Sequence, residues 1–429
     1  MLTAITGINW GDEGKGRMVD LISQEYDIVA RYQGGNNAGH TVKNERGKFV
    51  LNLLPSGILR PNVVCVMGNG MVIDPHHLDG EINKLREQGV EISPANLKIS
   101  DRATITMPYH VEQDGLEEAR LSKTGAQFGS TKRGIAYAYG DKYMKKTLRM
   151  GDLLHLDESV KKRLVTMVDS KNLVMEGSYN AAPISVDEMW AWLEKYAAIF
   201  KDYICDVGQY LADADAAGKK VLFEAQLGAL RDIDFGIYPY TTSSNVIGAY
   251  APIGAGIPGH KLHNSIGVMK AYSSCVGDGP FTAELAMTEE EKHDLREAGH
   301  EYGAATGRPR RVGPFDCVAS RYGLAMQGAD KIALTKLDVL SGFDTIQICV
   351  AYEYKGKRMD YPPQEQGALD LVSPVYESMP GWKEDITACK TWDELPEAAR
   401  AYVQRLEQLS GVPVSMVSVG PDRNQTIFR

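Results

Sequence analysis

Few features of this sequence point to a secreted, membrane-bound or repetitive protein. Its 429 residues include only six cysteines, and no two of them form a Cys-x-x-Cys pair. This spacing argues against a disulfide framework and favours buried, reduced thiols. The sequence also lacks an apolar run long enough to cross a membrane, a signal-peptide pattern at its start, internal repeats and low-complexity tracts. We therefore expect a cytoplasmic protein with no membrane partner.

The sequence has no excess of basic residues either. It contains 47 Lys and Arg against 56 Asp and Glu, which gives a net charge of −9. Proteins that bind nucleic acid normally carry a basic excess, because they neutralise backbone phosphates. The content of 43% hydrophobic and 24% charged residues is ordinary for a globular protein. We expect small-molecule ligands and no nucleic acid, with local basic clusters available for small anions.

The most informative stretch is the glycine-rich segment Gly7–Arg17, which follows the apolar run 2–8 and precedes a helical pattern. Glycines let the backbone approach an anion closely, and a helix N-terminus points unpaired N–H groups at it. Lys15 adds a charge that can reach a terminal phosphate. Gly16 stands where the standard P-loop has Ser or Thr to hold magnesium, so Asp12 is the candidate metal ligand. The alternative is a strand–helix turn that binds nothing.

Loops that follow other predicted strands carry polar residues suited to a nucleotide. Segment 33–41 contains three glycines, two asparagines and His40, at a position where parallel sheets bind ligands. Segment 241–245 offers four hydroxyl groups and an asparagine, which suit phosphate or sugar but are equally common in turns. For the glycine-rich segment 125–134 and the basic residues within 142–149, composition alone favours a solvated loop and helix face over a binding site.

Two segments in the second half of the chain add an anion-binding and a base-reading pattern. Segment 303–311 places Arg308, Arg310 and Arg311 within four residues, and arginine binds carboxylate and phosphate in bidentate fashion. Residues 335–338, Thr-Lys-Leu-Asp at the end of a buried strand, resemble the guanine-reading motif of GTPases. This motif is weak alone, but a phosphate loop elsewhere in the chain strengthens the prediction of GTP binding.

Strands alternate with helical patterns from end to end, which predicts an α/β fold. We expect one large unit with a mostly parallel central sheet flanked by helices, and with the phosphate-binding loop after the first strand. This unit is predicted as a single domain over residues 1–429, with a helical subregion at about 153–218. Within it, Ser185 and Glu188 form a capping-box pattern at the start of a helix.

With these motifs in order, the chain resembles a divergent, bacterial-type member of the adenylosuccinate synthetase family. The Trp-Gly-Asp-Glu-Gly-Lys-Gly loop at 10–16 is that family's signature. The other matching motifs lie at Tyr32–Gly35, Asn37–Thr41, Pro55–Leu59, Tyr238–Tyr240, Thr242–Asn245, Thr335–Asp338 and Gly420–Arg423. The resemblance therefore extends from the first predicted strand to the last.

The resemblance implies a ligase that joins L-aspartate to IMP with GTP and one magnesium ion per subunit, giving adenylosuccinate, GDP and phosphate in purine biosynthesis. The family first phosphorylates the C6 oxygen of IMP, and the aspartate amine then displaces phosphate from 6-phosphoryl-IMP. The resemblance implies that Asp12 accepts the N1 proton and that His40 is the acid or donor at the C6 oxygen. Asp12 and the Gly39 carbonyl would bind the metal. It also implies a homodimer in which Lys145 reaches the partner's site.

The resemblance implies three sets of binding residues. The GTP set is Gly11, Glu13, Gly14, Lys15, Gly16, Arg17, Gly39, Thr41, Arg310, Lys336, Leu337, Asp338, Ser418, Val419 and Gly420. The IMP set is Asn37, Ala38, Thr131, Lys145, Gln226, Thr242 and Arg308. The aspartate set is Ala304, Ala305, Thr306, Gly307, Arg308 and Arg310.

The chain departs from the family pattern at several of these positions. Segment 223–228 is Phe-Glu-Ala-Gln-Leu-Gly where most members have Phe-Glu-Gly-Ala-Gln-Gly, so the glutamine has moved one place to Gln226. On a strand, such a shift would turn the side chain to the other face, whereas on a loop it could still reach IMP. Lys145 stands where arginine is common, and Ala305 and Pro309 alter the predicted aspartate loop.

Two alternatives remain open on the sequence alone. The first is the same chemistry on a guanine nucleotide or deoxynucleotide, against which the retained Asp12 argues. The second is a catalytically silent GTP-binding relative, against which Asp12, Lys15 and His40 argue together.

Overall fold

The computed structural model describes residues 1–37, 39–44, 47–125, 129–303, 307, 309–363, 365 and 367–429. The strands are β1 (Leu2–Gly7), β2 (Ile28–Arg31), β3 (His40–Asn44), β4 (Gly47–Leu51), β5 (Val64–Met67), β6 (Val72–Ile73), β7 (Leu97–Ser100), β8 (Thr104–Ile105), β9 (Ile204–Cys205), β10 (Val221–Gly228), β11 (Asn264–Lys270), β12 (Ser273–Cys275), β13 (Arg311–Gly313), β14 (Phe315–Asp316), β15 (Lys331–Thr335), β16 (Thr345–Tyr354), β17 (Lys357–Met359), β18 (Ser373–Pro380), β19 (Val414–Ser418) and β20 (Thr426–Phe428). The helices are α1 (Lys15–Ile22), α2 (Pro75–Glu87), α3 (Pro108–Ser122), α4 (Ile135–Met144), α5 (Glu158–Tyr179), α6 (Val186–Phe200), α7 (Val207–Ala216), α8 (Ala251–Ala255), α9 (Glu289–Ala298), α10 (Cys317–Gln327) and α11 (Glu397–Ser410).

A large central sheet organises the described residues. Its strand order is β20-β19-β15-β11-β1-β10-β2-β5-β7-β9. Neighbouring strands run parallel except at one edge, where β20 pairs antiparallel with β19. The predicted α/β fold with a mostly parallel sheet flanked by helices is confirmed, whereas the division of the chain into domains stays a prediction.

The first strand explains why the sheet forms where the sequence predicts it. β1 is buried along its whole length, and its side chains alternate between two apolar layers. Ile5 packs into the layer that contains α1 and α2, while Leu2 and Ala4 face the layer that contains α7 and α8. Because helices cover both faces, the strand reads as a continuous apolar run rather than an alternating one.

The direction of the strands gathers the predicted site residues at one edge. β1, β2, β10, β11, β15 and β19 run parallel, so the loops at their carboxyl ends meet there. Those loops and strand ends carry the phosphate loop, the Asn37 segment, Gln226, the Thr335–Asp338 motif and Ser418. The sheet topology therefore brings together motifs that are hundreds of residues apart in sequence.

The structure differs from the sequence prediction in three places. Residues 40 and 41, predicted as loop, begin β3, because the backbone pairs antiparallel with β4 in a hairpin. The predicted helical stretch 153–218 contains α5, α6 and α7 but also β9, whose two residues are too few to give a pattern. Residues 345–354 form β16, which lies in a separate small sheet with β14, β17 and β18, whereas the sequence predicts one central sheet.

The expected start of α6 is where the sequence places it. The Ser185 hydroxyl accepts a hydrogen bond from the backbone N–H of Glu188 at 3.3 Å. Among the described residues, no helix is both long enough and apolar enough to cross a bilayer.

Candidate active site

The loop after β1 is held closed by one of its own acidic residues. Glu13 Oε1 accepts from the backbone N–H groups of Gly11 at 2.8 Å and Asn9 at 3.1 Å, and Oε2 accepts from Lys15 Nζ at 2.7 Å. Both Glu13 and Lys15 are buried. Gly14 precedes α1 with a φ of 95°, a conformation that favours glycine. The loop is thus pre-formed, and a phosphate that reaches Lys15 would compete with Glu13.

The need for glycine at position 16 comes from the neighbouring side chain of His40 rather than from the conformation of the loop. A Cβ atom added at Gly16 would lie 2.8 Å from the Cβ of His40 and 3.4 Å from Ser56 Oγ. Serine or threonine, the usual P-loop residues at this position, would therefore displace His40. The absence of a Cβ brings the predicted acid directly against the phosphate loop.

His40 is held by a buried carboxylate that the sequence analysis did not identify. Glu224, at 0% exposure, lies with Oε1 2.5 Å from His40 Nδ1 and accepts from the Ser56 backbone N–H at 2.7 Å and hydroxyl at 2.6 Å. Burial opposes ionisation of Glu224, but the hydrogen bond and charge of His40, together with Arg31, hold its pKa below the ordinary value. An ionised carboxylate can only accept, so Nδ1 donates and Nε2 is left for another partner.

Gln226 lies on β10, yet it faces the predicted IMP residues. Its Nε2 donates to Asn37 Oδ1 at 3.1 Å, and its Oε1 accepts from Arg31 at 2.7 Å. The pairing of β10 with β1 shifts between Glu224 and Gly228, where β10 has two more residues than β1. Gln226 is two residues after Glu224, so the regular alternation of a strand places both side chains on one face, where Gln226 meets Asn37.

Asp12, the predicted base, forms an ion pair with an arginine of the predicted aspartate loop. Arg310 donates to Asp12 Oδ2 at 2.7 Å through one nitrogen and to Glu301 Oε2 at 2.7 Å through the other. The Asp12 side chain is 31% exposed, so it is more accessible to solvent than the side chains of Arg310 and Glu301. Burial lowers the pKa of Arg310, but the carboxylates of Asp12 and Glu301 outweigh it and raise the pKa overall.

Glu301 is a second buried carboxylate that the sequence analysis missed. Its oxygens accept from Lys270 Nζ at 2.8 and 2.9 Å, from Lys336 Nζ at 2.7 Å and from Tyr272 OH at 2.5 Å, in addition to Arg310. Burial opposes its ionisation, but the three cations hold its pKa well below the ordinary value. Burial lowers the pKa of Lys270 to about 8.

The predicted guanine motif is tied directly to the phosphate loop. The Thr335 hydroxyl donates to the backbone carbonyl of Glu13 at 2.7 Å. Asp338 Oδ1 is buried and has no hydrogen-bond partner among the described residues, and burial raises the pKa of this carboxyl. An unpaired buried acceptor fits the N1–H and amino donors of guanine. Leu337 is fully buried in the core, so its side chain is structural.

Arg17 connects α1 to the last strand. It donates to the Ser418 hydroxyl and to the Asp422 carbonyl, the latter at 2.7 Å. The Ser418 hydroxyl also donates to the Gly420 carbonyl at 3.2 Å, and Val419 lies between them. Burial lowers the pKa of Arg17 to about 10. The predicted GTP residues of this loop are therefore held beside the phosphate loop.

Three predicted IMP residues lie outside the hydrogen-bonded side chains that surround the phosphate loop. Thr131 is exposed in a loop that Asp114 and Glu118 of α3 hold through backbone N–H groups. Lys145 is exposed at the C-terminal end of α4, and the backbone N–H of Thr242 donates to the Arg231 carbonyl at 2.8 Å. None of these three residues forms a hydrogen bond with the phosphate loop in the part of the chain that the structure describes.

Some predictions for the IMP and aspartate loops cannot be placed. The residues Ala38, Ala304, Ala305, Thr306 and Arg308 lie outside the described residues. Gly307 donates its backbone N–H to the Gly303 carbonyl at 2.7 Å. Gly39 lies immediately before β3, and Thr41 is exposed on that strand opposite Val50.

The metal prediction can be tested against the donors at the loop. No group of three or more His, Cys, Asp or Glu side chains converges on a metal position within the described ranges. Magnesium commonly takes one or two protein oxygens and completes its shell with phosphates and water. Asp12 fits this role, since among described partners only its Oδ2 is engaged. The carbonyl of Gly39 is the other predicted donor.

Comparison with known proteins gives one consistent result. A family model described as adenylosuccinate synthetase matches residues 4–427. Adenylosuccinate synthetase of Nitratidesulfovibrio vulgaris is 46% identical over 425 residues, which are 99% of each chain. Adenylosuccinate synthetase of Bacillus cytotoxicus is 47% identical over 422 residues, which are 98% of this chain and 97% of that protein.

Solved structures agree with the sequence comparisons. Fully ligated adenylosuccinate synthetase from Plasmodium falciparum matches with a TM-score of 0.92 and 38% identity, over 100% of this chain and 99% of that one. A second match is succinoaminodeoxyadenylate synthetase of cyanophage S-2L, bound to dGMP and to dATP as an energy donor. It has a TM-score of 0.60 and 19% identity, over 100% of this chain and 95% of that one. The second match is a likeness of fold alone.

Proposed function

Because the chain belongs to the adenylosuccinate synthetase family, we propose that the side chains around the loop after β1 carry out that family's reaction. The enzyme is a ligase (EC 6.3.4.4) of purine biosynthesis that joins L-aspartate to IMP with GTP as co-substrate. The products are adenylosuccinate, GDP and phosphate. The residue roles below rest on geometry together with this membership.

One observation carries the assignment of roles. His40, fixed by the buried carboxylate of Glu224, lies against Gly16 of the phosphate loop, in the space that a Ser or Thr side chain would need. A protein that only binds GTP has no use for an imidazole held there, whereas transfer of a phosphoryl group to a purine oxygen needs a donor beside the phosphate.

In the first step, Asp12 accepts the N1 proton of IMP, which increases the negative charge on the C6 oxygen. That oxygen attacks the γ-phosphorus of GTP, the bond to the bridging oxygen breaks, and GDP leaves. Nε2 of His40 donates to the C6 oxygen, because Nδ1 is committed to Glu224. Lys15 and the N–H groups of the loop stabilise the charge on the transferred phosphoryl group.

In the second step, the amine of L-aspartate attacks C6, the C6–O bond breaks and phosphate leaves, while the amine gives up a proton. Arg308 and Arg310 are suited to the two carboxylates of aspartate, since arginine pairs with carboxylates in bidentate fashion. Lys336 and Asp338 are suited to guanine, and the unpartnered Oδ1 of Asp338 supports this role. Asn37, Gln226, Thr131 and Thr242 would bind IMP.

We also propose one magnesium ion per subunit, held by Asp12 and the Gly39 carbonyl, which neutralises phosphate charge when bound. A homodimer in which Lys145 reaches the partner's site is supported by the large apolar side chains beside it: Tyr143 is 71% exposed and Met144 57%. A cytoplasmic location is supported by the six cysteines, all of which are free.

Neither alternative function is better supported than the synthesis of adenylosuccinate from IMP. The relatives near 46% identity are adenylosuccinate synthetases, whereas the enzyme that binds dGMP shares only 19% identity. A silent GTP-binding protein would not need the His40–Glu224 pair.

The test is phosphate release from GTP, measured with IMP and L-aspartate each present or omitted, while adenylosuccinate is followed by absorbance. We expect release and product only when all three substrates are present. The variant Asp12→Ala should lose product formation, whereas the matched control Asp202→Ala, at an exposed aspartate, should keep it. Product with dGMP or GMP but not with IMP would overturn the substrate assignment, and GTP binding without turnover would overturn the activity.

A further inference from the structure

Glu301 joins two loops that are proposed to bind different substrates. Lys336, in the proposed guanine-binding motif (the guanine side), donates to Oε1 of Glu301 at 2.7 Å. Arg310, in the proposed aspartate loop (the aspartate side), donates to Oε2 of Glu301 at 2.7 Å. Lys270 donates to both oxygens, and Tyr272 adds a further hydrogen bond. The carboxylate is at 0% exposure, so protein donors rather than water satisfy it.

The backbone strengthens the same connection. Lys336 Nζ also donates to the Gly299 carbonyl at 2.6 Å, two residues before Glu301. The backbone N–H of Arg310 donates to the Glu301 carbonyl at 2.8 Å, which closes the base of the aspartate loop. Lys270 ends β11 and Lys336 directly follows β15, the neighbouring parallel strand, so the sheet fixes where both residues begin. The guanine side and the base of the aspartate loop therefore share one rigid anchor.

The negative charge of Glu301 holds the cations of both sides in place. Three cations converge on one buried carboxylate, and without its charge they would repel one another in a site of low dielectric. Arg310 has little freedom to move independently, because its two terminal nitrogens bind Glu301 and Asp12. A displacement of Lys336 is consequently transmitted through Glu301 to Arg310, and the reverse also holds.

We propose that Glu301 is a positioning residue that couples guanine-nucleotide binding to L-aspartate binding by holding Lys336 and Arg310 on one carboxylate. This inference rests on the proposed function of those two residues. Coupling between two ligands is reciprocal, so each should tighten the binding of the other by the same factor.

The test uses the full-length protein saturated with IMP and magnesium. The dissociation constant of GDP is measured by calorimetry with and without succinate, which has the carboxylates of aspartate but no amine to react. In the wild type we expect succinate to tighten GDP binding about fivefold or more, within the usual range of allosteric coupling. In Glu301→Gln we expect this ratio to fall to about one, with the KM for IMP unchanged.

Two further variants separate coupling from folding. Glu81→Gln is the matched control: Glu81 is also a buried glutamate, but it accepts from the backbone N–H groups of Asn52, Leu53 and Leu54 and lies away from the two loops. It should keep the wild-type ratio. If Glu301→Gln does not fold, Glu301→Asp keeps the charge with a shorter reach and should give a reduced ratio.

A wild-type ratio in folded Glu301→Gln or Glu301→Asp would overturn the proposal. An equal loss of affinity for IMP, GDP and succinate would also overturn it, because a merely structural role predicts that pattern. Failure of the proposed function looks different, since the wild type would then form no adenylosuccinate. A wild type that forms product but shows no coupling would overturn this inference alone.

Discussion

Replacement of Glu224 by glutamine tests the mechanism most directly, because Gln has the same shape without the charge. Glu224 accepts three hydrogen bonds of 2.5 to 2.7 Å, one from His40 and two from Ser56. An ionised carboxylate accepts all three. An amide has one accepting oxygen, and its NH2 group must face either the Ser56 N–H or His40.

The expected magnitude follows from these contacts. If the amide oxygen stays on Ser56, the NH2 group faces Nδ1 of His40 and forces the neutral tautomer with the proton on Nε2. His40 can then donate to the C6 oxygen only as a neutral group. A hydrogen bond that involves a charged group contributes about 1.5–3 kcal/mol and a neutral one about 0.5–1.5 kcal/mol. The difference of about 1–1.5 kcal/mol corresponds to a roughly 5- to 13-fold decrease in kcat.

The assay is steady-state formation of adenylosuccinate at saturating substrates, with the melting temperature measured in parallel. We expect kcat of Glu224→Gln to fall while the KM for GTP changes little, because Lys15 and the loop N–H groups are untouched. Glu81→Gln controls for the loss of a buried carboxylate and should keep its kcat. An unchanged kcat, or a loss confined to KM for GTP, would refute the role given to the His40–Glu224 pair.

Two other substitutions give independent checks. Gly16→Ala should lower kcat strongly, because its Cβ would lie 2.8 Å from the Cβ of His40, whereas Gly80→Ala, at a helical glycine with no atom within 4 Å, should be silent in the same assay. Asp316 is a fully buried N-cap whose pKa burial raises to about 6, so the folded state binds its proton more tightly than the unfolded state, and this group's contribution to stability falls as pH rises from about 4 to about 6. Asp316→Asn stays neutral and should therefore gain roughly 2.4 kcal/mol relative to the wild type between pH 4 and pH 7 in urea unfolding. An equal difference at the two pH values would contradict this.

The sequence was sufficient where local pattern and fold agree. The apolar run at 2–8 is a strand buried on both faces, and glycines at 11 and 14 take positive φ values, so the phosphate loop could be predicted from composition and spacing. The motif at 335–338 could be predicted in the same way, because it follows a buried strand directly. Parallel strands then bring the two motifs to one edge without further information.

The sequence was insufficient where a side chain acts through a distant partner. Glu224 and His40 are 184 residues apart, and nothing in an apolar strand marks a glutamate as the partner of a histidine. Glu301 is likewise unmarked, since Lys270 and Lys336 approach it only because β11 and β15 are neighbours in the sheet. Gln226 was uncertain for a different reason: its contacts with Arg31 and Asn37 depend on the pairing of β10 with β2, which the sequence does not show.

Gly16 shows why a departure from a motif can be more informative than a match. In the standard P-loop the hydroxyl at this position holds magnesium, and the loop suffices for nucleotide binding. Here the side chain is absent because His40 occupies its space, and the metal prediction shifts to the carboxylate of Asp12. The same exchange places a proton donor and a proton acceptor at the end of the transferred phosphate. A loop built in this way is suited to phosphorylation of an oxygen that must first lose a neighbouring proton, which is the property of IMP that the reaction exploits.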